Sequence, residues 1–267
     1  MDILHEIAGR TLERVEARKE ALPLDSLVER VRLRCGDGPS SPADFPFEKA
    51  LCSEGMAFIC EVKKASPSKG VIAEDFPYLD IAREYEAAGA AAISVLTEPH
   101  YFKGDDRHLR EIAEVASIPL LRKDFTVDSY MVYEARLMGA SAVLLIAALL
   151  DEDRLAAYID TAHRLGLSAL VETHTEAEVK RALAAGARII GVNNRDLKTF
   201  DVDVDLSGRL RSLVPPEVCF VSESGIKTAQ DVERLRRHGV DAVLVGETLM
   251  RSPDKKAALA ALRGKTL

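Results

Sequence analysis

The stretch AFICEVK (57–63) is a short apolar run that stops on charged side chains instead of turn residues. Further runs end on charged or polar side chains in the same way: PLLRK (119–123), SALVE (168–172), RIIGVN (188–193), CFVSES (219–224) and AVLVGE (242–247). A strand that is buried on both faces is apolar along its length, but its end can open into a cleft. Parallel α/β barrels build their active sites from the carboxyl ends of several strands. The six runs therefore predict six walls of one site.

A glycine that follows a helical stretch and precedes an apolar run recurs along the chain. Its occurrences are 50, 47 and 53 residues apart: Gly89, Gly139, Gly186 and Gly239. Each is expected to end a helix in the left-handed conformation. A period near 50 fits two βα units, and other apolar runs lie midway between those that follow the glycines. The pattern predicts an α/β fold, a (β/α)8 TIM barrel, with two packed open sheets as the alternative.

Residues 1–50 lie outside this repeat. Apolar residues recur there at approximately helical spacing, which predicts one or two helices before the first strand: Ile3, Leu4, Ile7, Leu12 and Val15. These helices could plug one end of the barrel or form a wall of the site. No linker-like segment follows them, so residues 1–267 are predicted to be a single domain with a helical extension at 1–50.

Composition excludes several classes of protein. A chain of 267 residues that is 47% hydrophobic can bury one large core, and a formal charge of -7 argues against a nucleic-acid partner. The four cysteines show no metal-ligand spacing and suit buried positions in a reducing compartment. The charged N-terminus does not resemble a signal peptide, and the longest apolar run, 142–150, is too short to span a bilayer. We expect a cytoplasmic protein with no membrane partner.

Charged residues of the first run suggest a ligand site. Glu61 and Lys63 lie two residues apart on a strand and therefore face the same side. At the barrel mouth they would present a carboxylate and an ammonium to one ligand, although a structural ion pair is an equal alternative. The basic, turn-rich loop that follows, 64–70, could fold over an anionic substrate and move away.

Lys123 and Glu172 end two other runs and suggest acid–base chemistry. A lysine in this position can act as a general acid or as a Schiff-base nucleophile. Acid–base catalysis needs titratable groups in different environments. We expect Glu172 to titrate in the substrate complex as an essential group, while Lys63 holds Glu61 ionised. His174 lacks a companion histidine or cysteine at metal spacing, so no metal site is predicted.

Short polar turns follow the last three runs. Asn193 and Arg195 suit recognition of hydroxyl, carboxylate or phosphate groups, although this turn could also be only a capped one. In the next two turns small residues would let backbone N–H groups approach an anion, and barrels often hold a phosphate after the seventh and eighth strands. The predicted phosphate site comprises Ser224, Gly225, Gly246 and Glu247.

Several ordered blocks of the chain resemble indole-3-glycerol-phosphate synthase, a barrel enzyme of tryptophan biosynthesis. The N-terminal segment ILHEIAGRTLERVEARK (3–19) is similar to the family's first helix, which lies over the barrel mouth. The other blocks are FICEVKKASPSKG (58–70), LTEPHYFKG (96–104), LLRKDF (120–125), LVETHT (170–175), IIGVNNRDLKTF (189–200), VSESGI (221–226) and LVGETLM (244–250).

The resemblance implies that 1-(2-carboxyphenylamino)-1-deoxyribulose 5-phosphate undergoes ring closure, decarboxylation and dehydration without a cofactor. Lys123 would be the general acid, Glu172 its acid–base partner, and Lys63 the partner of the substrate carboxylate, oriented by Glu61. Asn193 and Ser224 would belong to the catalytic set. Substrate contacts would come from Ser66, Phe102, Phe125, Arg195 and Glu223. Association with other tryptophan-pathway enzymes is a further expectation from the resemblance.

Three other interpretations remain at this point. A Schiff-base barrel would use Lys123 as a nucleophile, and a non-catalytic barrel would only bind a phosphorylated ligand. Phosphoribosylanthranilate isomerase shares the fold and the phosphate site, but it should carry a catalytic cysteine on the first strand. Here Cys60 is expected to face the opposite side of the first strand from Glu61 and Lys63.

Overall fold

A computed structural model describes residues 2–36, 45–53, 55–196 and 199–265, so residues 37–44 of the predicted extension and residues 197–198 of the block 189–200 lie outside it. Within the described residues, eight parallel strands form a closed barrel in chain order, with β1 pairing with β8. The barrel prediction is confirmed, and the open-sheet alternative is wrong. The strands are β1 (Ala57–Val62), β2 (Ala92–Leu96), β3 (Leu120–Lys123), β4 (Ala142–Ile146), β5 (Ser168–Thr173), β6 (Ile189–Asn193), β7 (Cys219–Glu223) and β8 (Ala242–Val245).

Three helices precede β1 in the described segments 2–36 and 45–53, one more than expected: α1 (Ile3–Ala21), α2 (Leu24–Cys35) and α3 (Pro46–Leu51). The start of α1 borders the cavity at the carboxyl ends of the strands. In contrast, α3 closes the opposite end. Its Phe47 and Leu51 are fully buried in one cluster with the alanines that begin β1, β2, β4 and β8, and these small side chains leave room for the plug. The two alternatives for the extension are therefore both realised, by different helices.

A helix follows each strand. The helices are α4 (Tyr78–Ala87), α5 (Asp106–Val115), α6 (Tyr130–Leu137), α7 (Glu152–Arg164), α8 (Glu176–Ala184), α9 (Asp205–Arg211) and α10 (Ala229–Arg237), with α11 (Glu247–Met250) and α12 (Lys255–Leu262) after β8. The four repeated glycines have φ between 78° and 86°, so the predicted left-handed helix ends are confirmed. None of the helices in the described ranges is long and apolar enough to cross a membrane.

Side-chain alternation along the strands decides what reaches the barrel interior. On β1, Ile59 belongs to the interior cluster, whereas Phe58 and Cys60 pack against the surrounding helices. Glu61 has the parity of Ile59 and lines the cavity, as Lys123 does at the end of β3. The predicted opposite orientations of Cys60 and Glu61 are therefore confirmed. Cys60 and Cys219 are buried, as expected for small apolar side chains.

Candidate active site

A cavity of about 850 Å³ opens at the carboxyl ends of the strands. Ile3, Leu4 and Ile7 of α1 form part of its wall. Loops after several strands complete it, and the loop after β1 folds into a short antiparallel hairpin (Ala65–Ser66 with Gly70–Val71). Every residue predicted for the site lines this cavity: Glu61, Lys63, Ser66, Phe102, Lys123, Phe125, Glu172, Asn193, Arg195, Glu223, Ser224, Gly225, Gly246 and Glu247.

Lys123 lies between two buried carboxylates. Its Nζ is 3.1 Å from Glu172 Oε2 and 3.4 Å from Glu223 Oε2. Burial alone would lower the Lys123 pKa, but the charges of Glu172, Glu223 and Glu61 outweigh burial and raise that pKa above its ordinary value. Lys123 is therefore an ammonium at neutral pH, suited to donate a proton and unsuited to attack a carbonyl as a free amine.

The two carboxyls beside Lys123 are tuned in opposite directions. Burial opposes ionisation of Glu172, but the charge of Lys123 outweighs it and holds the Glu172 pKa below its ordinary value. Asn193 Nδ2 also donates to Glu172 Oε1 at 3.3 Å. Burial raises the pKa of Glu223 to about 7, because the carboxylates of Glu172 and Glu61 add to burial and Lys123 only partly offsets it. The carboxyl with the raised pKa is thus Glu223, which was not expected to titrate, while the titration of Glu172 in the substrate complex stays a prediction.

A glycine in β6 makes room for this carboxyl. Glu223 Oε1 is buried and has no hydrogen-bond partner among the described residues. A Cβ placed on Gly191 would collide with Glu223 Oε1 and would lie 3.1 Å from Leu170 Cδ1. A glycine inside a strand often marks such a close approach. That signal was present in RIIGVN (188–193), although it does not identify the side chain that approaches.

Lys63 and Glu61 form an ion pair beneath the turn after β8. A Cβ on Gly246 would collide with Glu61 Oε1 and would lie 2.9 Å from Lys63 Nζ. Gly246 was expected to be small so that its backbone could approach a phosphate. The structure gives its small size another cause, because the ion pair occupies the space beside its Cα.

The turn after β7 has a conformation suited to an anion. Ser224 and Gly225 have φ of 67° and 82°, and successive left-handed or turn residues can point backbone N–H groups into one concavity. The Glu247 side chain is engaged elsewhere, 3.0 Å from Arg251 Nε and 3.8 Å from Lys69 Nζ. Arg251 and Lys227 also border this end of the cavity. Neither cation was predicted from the sequence, because neither belongs to a recognisable short motif.

Asn193 and Asn194 have different roles although they are adjacent. Asn193 lines the cavity, and its Oδ1 accepts the backbone N–H of Arg195 at 3.1 Å. Asn194 is instead part of a buried network, where its Nδ2 donates to Ser222 Oγ at 3.0 Å and its Oδ1 accepts from Ser207 Oγ at 2.7 Å. Asn193 therefore caps its own turn and also borders the cavity, and its recognition of a ligand stays a prediction.

Two aromatic rings form another part of the wall. Phe102 and Phe125 lie with ring centroids 6.1 Å apart and planes inclined at 43°. Phe125 follows Asp124, whose carboxylate accepts from Arg14 of α1 at 2.8 Å and from Thr97 at 2.6 Å. The N-terminal helix is therefore tied to the loop that carries Phe125. The pair expected to contact an aromatic substrate is brought together.

Comparisons with known proteins agree with this geometry. The family described as indole-3-glycerol phosphate synthase matches residues 4–262. A relative of that name from Ruminiclostridium cellulolyticum is 57% identical over 262 residues, covering 98% of this chain and 99% of the relative. Another from Leuconostoc mesenteroides is 53% identical, with 98% and 99% covered. The crystal structure of a 3-hexulose-6-phosphate synthase shares the fold, with a TM-score of 0.62 at 15% identity over 78% of this chain and 99% of that chain. The chain belongs to the indole-3-glycerol-phosphate synthase family.

Proposed function

We propose that the cavity residues divide the indole-3-glycerol-phosphate synthase reaction between Lys123, an ammonium that protonates the substrate during ring closure, and Glu223, a carboxyl that supplies a proton later in the reaction. The family activity makes this protein a decarboxylating lyase of tryptophan biosynthesis. The observation that carries the assignment of roles is the position of Lys123 between Glu172 and Glu223, whose pKa values are shifted in opposite directions. Such a split is the arrangement that separates acid from base.

Ring closure joins the aromatic carbon that bears the carboxylate to C2′ of the ketose. As this bond forms, the C2′ carbonyl oxygen gains negative charge and takes a proton from the Lys123 ammonium. Because burial excludes much of the surrounding water, this charge stabilisation is stronger than it would be in solution. The same charge state argues against the Schiff-base alternative, which requires a neutral amine.

Decarboxylation returns an electron pair to the aromatic ring as CO₂ leaves. Lys63 is the proposed partner of the substrate carboxylate, and Glu61 holds its ammonium in place. Phe102 and Phe125 are proposed to hold the ring, and Asn193 and Arg195 the sugar hydroxyls and the carboxylate. The phosphate is proposed to be surrounded by Ser66, Ser224, Gly225 and the backbone at Gly246 and Glu247.

Dehydration expels the C2′ hydroxyl as water and removes a proton from C1′. Glu172, whose pKa is held low, is proposed as the base at C1′. The substrate carboxylate leaves as neutral CO₂, so each turnover takes up one proton overall. Glu223 is protonated below pH about 7 and is proposed to supply that proton, either to the leaving hydroxyl directly or through Lys123.

The test is appearance of indole fluorescence when purified protein meets the arylamino ketose phosphate. The sequence contains no tryptophan, so the protein itself adds no indole background. Borohydride added during turnover should trap no adduct on Lys123. Absence of product would overturn the proposed function, and a covalent Lys123 adduct would restore the Schiff-base alternative.

We further propose a cytoplasmic location and one domain for residues 1–267. The four cysteines, of which two are buried and unpaired, suit a reducing compartment. Salt bridges from Arg14 to Asp124 and from Arg18 to Asp106 join α1 to the barrel, which supports one cooperative unit. Association with other tryptophan-pathway enzymes stays a prediction, which co-purification at low salt would test.

A further inference from the structure

We propose that Glu98 is a positioning residue that holds Phe102 against the aromatic ring of the substrate and so sets the preference of the cavity for an arylamino ligand. This inference rests on the proposed function, because Phe102 is assigned there to the aromatic half of the substrate. Glu98 itself does not line the cavity and acts through the loop after β2.

The Glu98 carboxylate is the centre of that loop. It is only 1% exposed, and it accepts backbone N–H groups from His100 at 2.9 Å, from Tyr101 at 2.7 Å and from Phe102 at 3.0 Å. Within the described residues it forms no salt bridge with a lysine or arginine. A buried carboxylate is costly unless it is paired or hydrogen-bonded, so these three N–H groups are what stabilises it, and the loop has to follow its position.

The backbone closes the same loop tightly. Gly104 N donates to Glu98 O at 2.8 Å. A Cβ on Gly104 would lie 2.7 Å from the carbonyl carbon of Leu96 and 2.9 Å from Glu98 O, so only glycine fits there. Lys103 has a φ of 55°, in the left-handed region. Loop 98–104 is therefore a compact turn wrapped around one side chain.

Both backbone polar groups of Phe102 are hydrogen-bonded. Its N–H donates to Glu98, and its carbonyl accepts from Ala65 N at 3.2 Å, in the hairpin that carries Ser66. The preceding residue, Tyr101, points elsewhere: its hydroxyl donates to Glu6 of α1 at 2.5 Å. Glu98 thereby fixes the directions of two consecutive side chains, with Tyr101 on α1 and Phe102 in the cavity.

The predicted consequence is selective for one half of the ligand. Phe102 faces Phe125 across the aromatic wall, whereas the proposed phosphate contacts come mainly from the turns after β7 and β8. Release of the loop should therefore weaken binding of the aryl group and leave phosphate binding unchanged. A merely structural role of Glu98 would instead reduce the folded fraction and affect all ligands equally.

The experiment compares Glu98→Gln with Glu114→Gln, which makes the same change at an exposed position on α5. Glutamine keeps the size of the side chain but replaces an acceptor oxygen by a donor, so at least one of the three N–H groups loses its partner. Competitive inhibition is measured with two probes, an unreactive reduced arylamino ribitol phosphate and glycerol 3-phosphate. For Glu98→Gln we expect Ki to rise about 10-fold for the aryl probe and to stay within about 2-fold for glycerol 3-phosphate.

A fluorescent reporter measures the loop directly. Phe102→Trp would introduce the sole tryptophan of the chain, and its acrylamide quenching should increase when Glu98→Gln is added and stay constant when Glu114→Gln is added. Equal Ki changes for both probes, or unchanged Ki and quenching, would overturn the positioning role. Wild-type turnover in the same assay separates the two proposals: if it is present, only the role of Glu98 fails, and if it is absent, the proposed function fails.

Discussion

Arg122 and Lys123 are neighbours on β3, and both are buried cations among carboxylates, but they face opposite sides of the barrel wall. Arg122 points outward, where its Nη2 lies 2.9 Å from Asp106 and its Nη1 3.3 Å from Glu134. Lys123 points inward to Glu172 and Glu223. In both cases burial opposes the charge, yet the surrounding carboxylates raise the pKa above its ordinary value. The pKa shifts alone do not distinguish the two clusters.

Hydrogen-bond satisfaction does distinguish them. Each guanidinium nitrogen of Arg122 has a partner, including Met131 O at 2.9 Å and Thr97 Oγ1 at 3.3 Å, and Arg18 of α1 closes the outer cluster through Asp106. On the inner side, Glu223 Oε1 has no partner in the described part of the chain. Buried polar atoms are nearly always satisfied, so an unsatisfied one beside a cavity indicates a place kept for a ligand. This difference supports the proposal that the inner cluster is catalytic and the outer one structural.

The largest expected effect is loss of catalysis in Lys123→Ala. Removal of the proposed general acid should lower kcat by roughly 10²–10⁴, because the C2′ oxygen then loses both its proton donor and the adjacent positive charge during ring closure. The fold should persist, which circular dichroism would check while indole fluorescence reports turnover. Wild-type turnover in this variant would remove Lys123 from the mechanism.

The matching change on the outer side is Arg122→Met, which should destabilise the protein and spare the chemistry. Removing Arg122 leaves Asp106 and Glu134 buried with less positive charge, and breaking such a buried cluster costs about 3–5 kcal/mol. Urea unfolding measures this loss. If stability is unchanged, or if kcat of the folded protein falls as far as in Lys123→Ala, the contrast between the two faces is wrong.

Glu223→Gln sharpens the contrast within the inner cluster. Because the Glu223 pKa is raised to about 7, the wild-type kcat should decline as pH rises through that value, and the variant should lack this step, with kcat lower by about 10²-fold. The sign for stability follows from the same shift. The unfolded chain loses this proton near the ordinary glutamate pKa of 4.5, so wild-type stability relative to the variant should fall between pH 4.5 and about 7. If Glu223→Gln keeps the decline of kcat near pH 7, another group must be the one that titrates there.

The smallest effect is expected for Gly191→Ala, which adds a methyl group against the Glu223 carboxylate. We expect kcat to fall by about 10-fold, with a shifted pH step, because Glu223 must move relative to Lys123. The control is Gly9→Ala in α1, where an added Cβ meets nothing within 4 Å and helix propensity predicts a stability gain of up to about 1 kcal/mol. Equal pH profiles for the two variants would show that Gly191 does not position Glu223.

Much of the fold and the membership of the site could be predicted from the sequence. The charged and polar residues at the ends of the apolar runs were correctly predicted to line the cavity, because parallel strands bring their carboxyl ends to one edge. The parity of Glu61 against Cys60 followed from the two-residue period of a strand. The raised pKa of Glu223 and the ion pair beside Gly246 could not be predicted, since both depend on which side chains from other strands occupy the adjacent space.

The sequence by itself determined the barrel, its repeat, the residues that line the cavity and the family, because these depend on local periodicity and on short motifs. Only the tertiary structure showed that a separate helix, α3, plugs the opposite end of the barrel, since its burial depends on the alanines that begin four different strands. It also decided that Glu223 and not Glu172 has its pKa near 7. That difference depends on distances to one ammonium and on the space beside Gly191, which come from separate strands and have no signature along the chain.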